Sequence, residues 1–193
     1  MVVGKLKQQL GFTLIELLVT LMIATIIAIM AVPAFAGFLA RQQLTGDVNE
    51  MISILSFARS EAIKQRSDVS VIFSPPNAAT ANRRPESCRN NEVAQEANES
   101  GEENTTYRYS DWCYWVAKSD AIDEILRLGQ ASNITKPDQA FLLTFQSLGD
   151  ADIDSCRADT STPCRITLNP QQDDIDPVTL VINTTGSIRR GEP

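Results

Sequence analysis

The chain has 193 residues and a net charge of −7, and it contains four cysteines but no histidine. This length is sufficient for one domain with a hydrophobic core plus an additional helix. The absence of histidine excludes Ser-His and Cys-His nucleophile pairs and removes the commonest zinc ligand, so we expect no enzyme activity, small-molecule substrate, cofactor or metal site. DNA binding by an acidic chain would require a local basic patch.

The N-terminal segment joins a short basic leader to a long apolar stretch. The leader ends at Gly11, the apolar stretch starts at Phe12, and no charged residue lies in Leu17–Ala40. A helix over Leu17–Ala40 is about 36 Å long, which is enough to cross a bilayer with the basic leader on the cytoplasmic side. One carboxylate, Glu16, interrupts the apolar stretch, and such a group costs roughly 2.5–3.5 kcal/mol at the bilayer centre. Its presence therefore needs a reason.

The order Gly11-Phe-Thr-Leu-Ile-Glu16 resembles the processing site of type IV prepilins. The resemblance implies that residues 1–11 are a leader peptide, that a prepilin peptidase cleaves between Gly11 and Phe12, and that Phe12 is then N-methylated. A free amine at Phe12 and the Glu16 carboxylate would both be stranded in lipid, so pairing between neighbouring subunits would relieve both charges during assembly. The alternative is that Glu16 reaches to the membrane interface.

A secretory signal peptide is the alternative interpretation of this segment, with Ala34-Phe-Ala36 as its cleavage site. The apolar stretch exceeds the usual signal core of about 7–15 residues, and the helical pattern continues beyond it. We therefore predict one helix with a transmembrane half at 12–40 and an amphipathic half at 41–66. Pro33 lies inside it and is expected to kink it, because proline removes a backbone hydrogen bond.

The sequence that ends this helix resembles the GspH/FimT branch of the pilin superfamily, on the stretch Ala58-Arg-Ser-Glu-Ala-Ile63 followed by a strand-like segment. The resemblance implies an α+β type IV pilin fold, with the long helix packed on antiparallel sheets in a periplasmic domain at 67–193. From the helical pattern alone, Arg59 and Glu61 are expected to face water while Ile63 packs on a sheet.

Strand-like patterns are spread over the rest of the chain. They lie at 69–73, 112–116, 122–128, 140–145, 165–168 and 178–182. The segment 122–128 has a helical alternative, because Glu and Leu favour that state. Residues 75–106 are rich in Pro, Asn, Glu and Ser, so we expect a mobile surface loop.

Four cysteines lie downstream of the export-type segment, at Cys88, Cys113, Cys156 and Cys164. An even number in an oxidising compartment predicts two disulfides, and three pairings are possible. We favour Cys88–Cys113 and Cys156–Cys164, because short loops close most easily. Four buried free thiols are the alternative.

Two other features have ordinary structural interpretations. The aspartates at 150, 152 and 154 and at 173, 174 and 176 do not match a calcium-binding EF-hand loop, so we expect solvated acidic turns. Trp112 and Trp115 are expected in the core or at a sheet edge.

The C-terminal segment Gly186-Ser-Ile-Arg-Arg190 resembles the Gly-Arg-x-Arg motif with which FimT proteins bind DNA. Ser187 stands at the first arginine position. Arg190 is an imperfect substitute, because neighbouring residues of a strand point to opposite faces. Arg189 and Arg190 are therefore candidates for weak DNA binding at most.

Together these resemblances imply a minor pilin of a type IV pilus, a structural subunit of the tip complex that primes assembly. The implied partners are the major pilin, other minor pilins and the prepilin peptidase. A GspH-like pseudopilin of type II secretion is the first alternative, and a FimT-like DNA-binding pilin is the second. The expected location is the inner membrane, with one span and a periplasmic C-terminal domain, before incorporation into a pilus or pseudopilus.

Overall fold

The computed structural model describes residues 13–76, 84, 85, 88, 92–94, 107–109, 112–129, 133–170, 172 and 174–191. In this part of the chain one helix precedes eleven strands. They are α1 (Leu14–Gln65), β1 (Val69–Ser74), β2 (Glu92–Ala94), β3 (Tyr107–Tyr109), β4 (Cys113–Lys118), β5 (Ala121–Leu128), β6 (Ile134–Lys136), β7 (Phe141–Phe145), β8 (Ala151–Asp152), β9 (Cys164–Leu168), β10 (Val178–Ile182) and β11 (Ile188–Arg190). Contacts divide the chain into two units, Met1–Leu39 and Ala40–Pro193.

Helix α1 contributes an apolar stripe to the core of the second unit. The stripe repeats at intervals of three and four residues, as a helix that packs on one side requires. It consists of Leu44, Val48, Met51, Leu55, Ala58 and Ala62, all of which are buried. The helix ends at Gln65. The next residue, Arg66, has a φ of 53°, and Ser67 N–H donates to the Ala62 carbonyl at 3.3 Å. This pattern is a Schellman cap.

The five-stranded sheet is antiparallel, with the order β5-β4-β1-β7-β8. Its central strand β1 places Val69, Val71 and Phe73 in the same core cluster as the α1 stripe. Successive side chains of a strand alternate between faces. Ser70 therefore lies on the other face, where its hydroxyl is 2.7 Å from that of Ser119.

The four-stranded sheet is also antiparallel, with the order β11-β10-β9-β6. Its inward side chains include Ile166, Leu168, Leu180 and Ile182, which join the same core cluster. The helix half at 40–65 and both sheets thus share one hydrophobic core. Strands β2 and β3 form a separate hairpin.

The α+β fold predicted from the sequence is confirmed. All six predicted strands are present, and the segment 122–128 is strand β5, so its helical alternative is wrong. Within 75–106, strand β2 forms and Arg84 is buried, which differs from a wholly irregular loop. The mobility expected for the remainder falls mostly outside the described residues.

The expected exposure at the end of α1 is wrong for three residues. Arg59 and Glu61 are half-buried, whereas Ile63 is 48% exposed. The reason is that hydrogen-bond partners for Arg59 and Glu61 lie beside the buried stripe of α1. Arg59 donates hydrogen bonds to two turns, and Glu61 accepts hydrogen bonds from Gln65 and Lys64, which hold the pKa of its carboxyl below the usual range.

Candidate functional site

The first turn of α1 contains the residue predicted to act in assembly. Thr13 immediately precedes the helix, and its hydroxyl accepts a hydrogen bond from the Glu16 backbone N–H at 3.3 Å. The spacing Thr-x-x-Glu is that of a capping box, and a carboxylate in the first turn also complements the helix dipole. Glu16 therefore has a local structural role in addition to any role between subunits. The predicted cleavage and methylation site at Gly11 and Phe12 lies outside the described residues.

The apolar side chains of the first unit are exposed. Among the side chains that the structure describes between Leu14 and Leu39, fourteen large hydrophobic ones are accessible to solvent. Glu16 is the one charged residue in that range of the sequence. Exposed apolar surface on this scale marks a contact with lipid or with another protein. In the described part of the chain, no helix has the length and apolarity of a membrane span. The helix assignment continues through Pro33, and its kink stays a prediction.

The two C-terminal arginines lie on opposite sides of β11. Arg189 is exposed and is the register partner of Val181 on β10. Arg190 is the partner of the buried Leu180, and its Nη2 donates to Asn49 Oδ1 of α1 at 3.3 Å. One arginine thus faces outward and the other contacts the helix, so the structure does not bring them together as a pair.

We call the strands after α1, with their connections, the β-domain. Arg59 holds two turns of the β-domain against α1, a role that the linear motif did not reveal. Its Nε donates to the Gly149 carbonyl at 2.8 Å and its Nη2 to the Thr185 carbonyl at 3.2 Å. Gly149 lies between β7 and β8, and Gly186 lies between β10 and β11. Both glycines have positive φ, at 90° and 70°. A Cβ on Gly186 would lie 2.0 Å from the Gly149 carbonyl oxygen. The backbones of the two turns are therefore in direct contact, with no room for a side chain at Gly186.

A shallow groove of about 560 Å³ adjoins this contact. Its lining from α1 includes Ile52, Ser56 and Ile63, and Ile188 of β11 faces them. Near it, Leu148 is 89% exposed on the turn before Gly149. The described lining combines these isoleucines with serine hydroxyls and two cationic side chains.

Both predicted disulfides are present. Cys88 is bonded to Cys113 and Cys156 to Cys164, with Cα–Cα distances of 6.0 and 5.2 Å. The first fastens the segment before β2 to strand β4. Nearby, the buried Arg84 donates to Ser74 Oγ at 2.7 Å and to the Ser74 carbonyl at 3.0 Å.

Two aspartates of the first run have partners within the protein. Asp152 Oδ1 accepts a hydrogen bond from Asp154 N–H at 3.0 Å, and Asp154 forms an ion pair with Arg157. Asp174 and Asp176 are exposed, and 173 lies outside the described residues. Within the described ranges, no three Cys, Asp or Glu side chains are grouped as a metal site. The tryptophan prediction is confirmed, since Trp112 and Trp115 are both buried.

Two family models match the chain. The model described as "Type II transport protein GspH" matches residues 47–186, and the model described as "Prokaryotic N-terminal methylation motif" matches residues 6–32. The first covers most of the amphipathic half of α1 and every strand from β1 to β10. The second covers residues 6–11 of the predicted leader, the cap at Thr13 and Glu16, and much of the exposed apolar helix. It implies a membrane-anchored pilin.

Among curated proteins, two from Pseudomonas aeruginosa, each named "Fimbrial protein", are 37% identical to the chain over 65 residues. The alignment covers 34% of this chain and 42% of each relative, so the chain spans less than half the length of the curated relatives it matches. No solved structure matches the chain. The GspH match alone covers more than half of the residues, and together with the methylation motif it shows that the chain belongs to the GspH family of type IV pilin-like proteins.

Proposed function

We propose that this protein is a minor pilin, a structural subunit of the tip complex that primes assembly of a type IV pilus. The observation that carries the proposal is the first unit, where a capped helix exposes apolar side chains together with a single carboxylate, Glu16. Such a surface needs lipid before assembly and neighbouring helices afterwards. The subunit acts by recognition and packing and catalyses no reaction.

The proposed maturation follows from the N-terminal motif. A prepilin peptidase cleaves between Gly11 and Phe12, and Phe12 is N-methylated. Residues 12–40 then anchor the subunit by a single span in the inner membrane, with the β-domain in the periplasm. In the filament, Glu16 pairs with the Phe12 amine of a neighbouring subunit, which removes both charges from the apolar surroundings.

The curated relatives and the family model point to different filaments, a pilus and a secretion pseudopilus. The P. aeruginosa relatives are named as fimbrial proteins, which supports a pilus, whereas the matching family model is described by type II transport. A minor pseudopilin of type II secretion is therefore the alternative within the same class. A FimT-like role in DNA uptake has less support, because Arg189 and Arg190 lie on opposite sides of β11.

The test is crosslinking of the tagged full chain in its host membranes, followed by identification of the captured proteins. Glu16→Gln is the informative variant, because glutamine also suits a capping box while removing the charge. We expect the wild type to capture other minor pilins and Glu16→Gln to lose them. Capture of secretion components would assign the protein to the pseudopilins, and capture of neither group would refute the proposal. Glu16→Ala, which removes both cap and charge, reports how much of any loss is due to helix fraying.

A further inference from the structure

Three cations lie on the outer face of the four-stranded sheet, each on a different strand. They are Arg165 of β9, Arg189 of β11 and Lys136 of β6, and all three are exposed. Val181 of β10 is the register partner of both arginines, so the order across the sheet is Arg189, Val181, Arg165. Because adjacent strands are about 4.8 Å apart, the two arginine Cα atoms are separated by roughly 10 Å.

The second row of this face lies beside the first. Lys136 is the register partner of Thr167, which follows Arg165 by two residues on the same side of β9. The Thr167 hydroxyl lies 3.0 Å from that of Thr179 on β10. We name Lys136, Arg165, Thr167 and Arg189 the basic sheet face.

The cations of the basic sheet face are paired with no carboxylate of the described residues. Among the described residues, no ion pair or side-chain hydrogen bond involves Lys136, Arg165 or Arg189. Some other cations of the protein are paired, such as Lys118 with Glu124 at 3.0 Å and Arg127 with Glu50 at 3.6 Å. In a chain with a net charge of −7, carboxylates are plentiful, so a face on which three cations remain unpaired suits an external anion.

We propose that the basic sheet face binds a carboxylate-rich face of an adjacent pilin-like subunit. The inference rests on the proposed function, because a filament holds neighbouring subunits at high effective concentration, where a few ion pairs suffice. The planar guanidinium groups match carboxylates in a bidentate geometry. An open helical assembly also requires two different, complementary surfaces on each subunit. DNA, in contrast, must approach from solution against the net negative charge.

The experiment compares single charge removals on the two sides of β11. The tagged full chain is extracted from host membranes in mild detergent, and the co-purified pilin subunits are quantified by mass spectrometry. Exposed ion pairs of this kind change an equilibrium by about two- to fivefold each. We expect a loss of that size in Arg165→Ala and in Arg189→Ala, and a larger loss in the double variant. Arg190→Ala removes the same charge from the adjacent residue but on the helix side, so it should retain the partners.

Salt dependence provides the second readout. At about 1 M salt the Debye length falls to about 3 Å, so exposed ion pairs are screened. The amount of pilin subunits that co-purify with the wild type should then fall toward the amount that co-purifies with the double variant. Unchanged thermal unfolding of the double variant would confirm that it is folded, as expected for two exposed side chains.

The outcomes separate the two proposals. If the wild type retains no pilin subunit, the proposed function fails. If it retains them and the double variant retains as many at every salt concentration, the function stands and the basic sheet face is refuted as a subunit contact. A fluorescent DNA duplex is titrated in parallel. Duplex binding that depends on Arg165 and Arg189, with unchanged partner retention, would overturn the inference in favour of a nucleic-acid site.

Discussion

Gly186→Ala should destabilise the β-domain strongly, because the turn that contains Gly186 packs against the Gly149 turn of the other sheet. Its φ of 70° costs a non-glycine residue about 1–2 kcal/mol. The new Cβ would lie 2.0 Å from the Gly149 carbonyl oxygen, so that carbonyl has to move. The same carbonyl accepts the 2.8 Å hydrogen bond from Arg59, and a bond from a charged donor contributes roughly 1.5–3 kcal/mol. The expected loss is about 3–5 kcal/mol.

Thermal unfolding of the full chain in detergent, followed by circular dichroism, measures this loss. For a chain of this size, about 3–5 kcal/mol corresponds to a decrease in Tm of roughly 6–20 °C. The matched control is Gly46→Ala in α1, where a Cβ has no neighbour within 4 Å. There alanine should stabilise the helix by about 0.5–1 kcal/mol. A Gly186→Ala variant as stable as the wild type would refute the close contact between the turns.

Three further predictions concern the same domain. Replacing Cys156 and Cys164 by alanine should cost about 2.5 kcal/mol through the lost cross-link, and alkylation before reduction should label no thiol in the wild type; labelling there would contradict the disulfides. Arg84→Ala should lower the urea midpoint by the equivalent of roughly 2–4 kcal/mol, since it leaves the buried end of β1 without its donor. Burial raises the pKa of Asp47 above its ordinary value of 3.8, so ionisation opposes folding at neutral pH; Asp47→Asn should stabilise the protein at pH 7. That gain should fade as the pH falls toward and below 3.8, where the carboxyl is protonated in both states; a gain independent of pH would argue against burial as its cause.

The elements that could be predicted are those whose buried residues recur at a regular interval in the sequence. Strand β1 reads Val-Ser-Val-Ile-Phe, and its alternate residues Val69, Val71 and Phe73 face the core. The α1 stripe is visible for the same reason, at a period of three and four. The disulfide pairing follows from short loops, since the bonded cysteines are 25 and 8 residues apart.

The short strands left no comparable signal. Strands β6, β8 and β11 have two or three residues each, which is too few for a period of two to be recognised. They exist because a neighbouring strand offers free hydrogen-bonding groups at a sheet edge, and this is a property of the tertiary structure. Glu16, in contrast, could be singled out from the local sequence, because the prepilin-like motif and the apolar stretch lie directly beside it; its role in assembly stays a prediction.

Arg59 shows why exposure cannot be inferred from helical position alone. Its hydrogen-bond acceptors are 90 and 126 residues away in the sequence, and neither turn would be recognised as a partner from α1. The arginine lies beside the buried stripe, where a helical pattern predicts water, and the turns of two sheets occupy that place instead. A polar residue adjoining an apolar stripe should therefore be considered a candidate anchor for loops as well as a solvated side chain.

The C-terminal arginines lead to a related conclusion about sheets. A linear motif groups Arg189 with Arg190, but alternation along β11 separates them, and register across β10 groups Arg189 with Arg165 instead. Those two arginines are 24 positions apart in the sequence and occupy the same row of the outer face. A binding surface on an antiparallel sheet is thus composed of register partners, so a substitution inside the motif and one far outside it can have the same effect. The comparison of Arg165→Ala with Arg190→Ala tests this reasoning directly, since only the distant residue shares the face of Arg189.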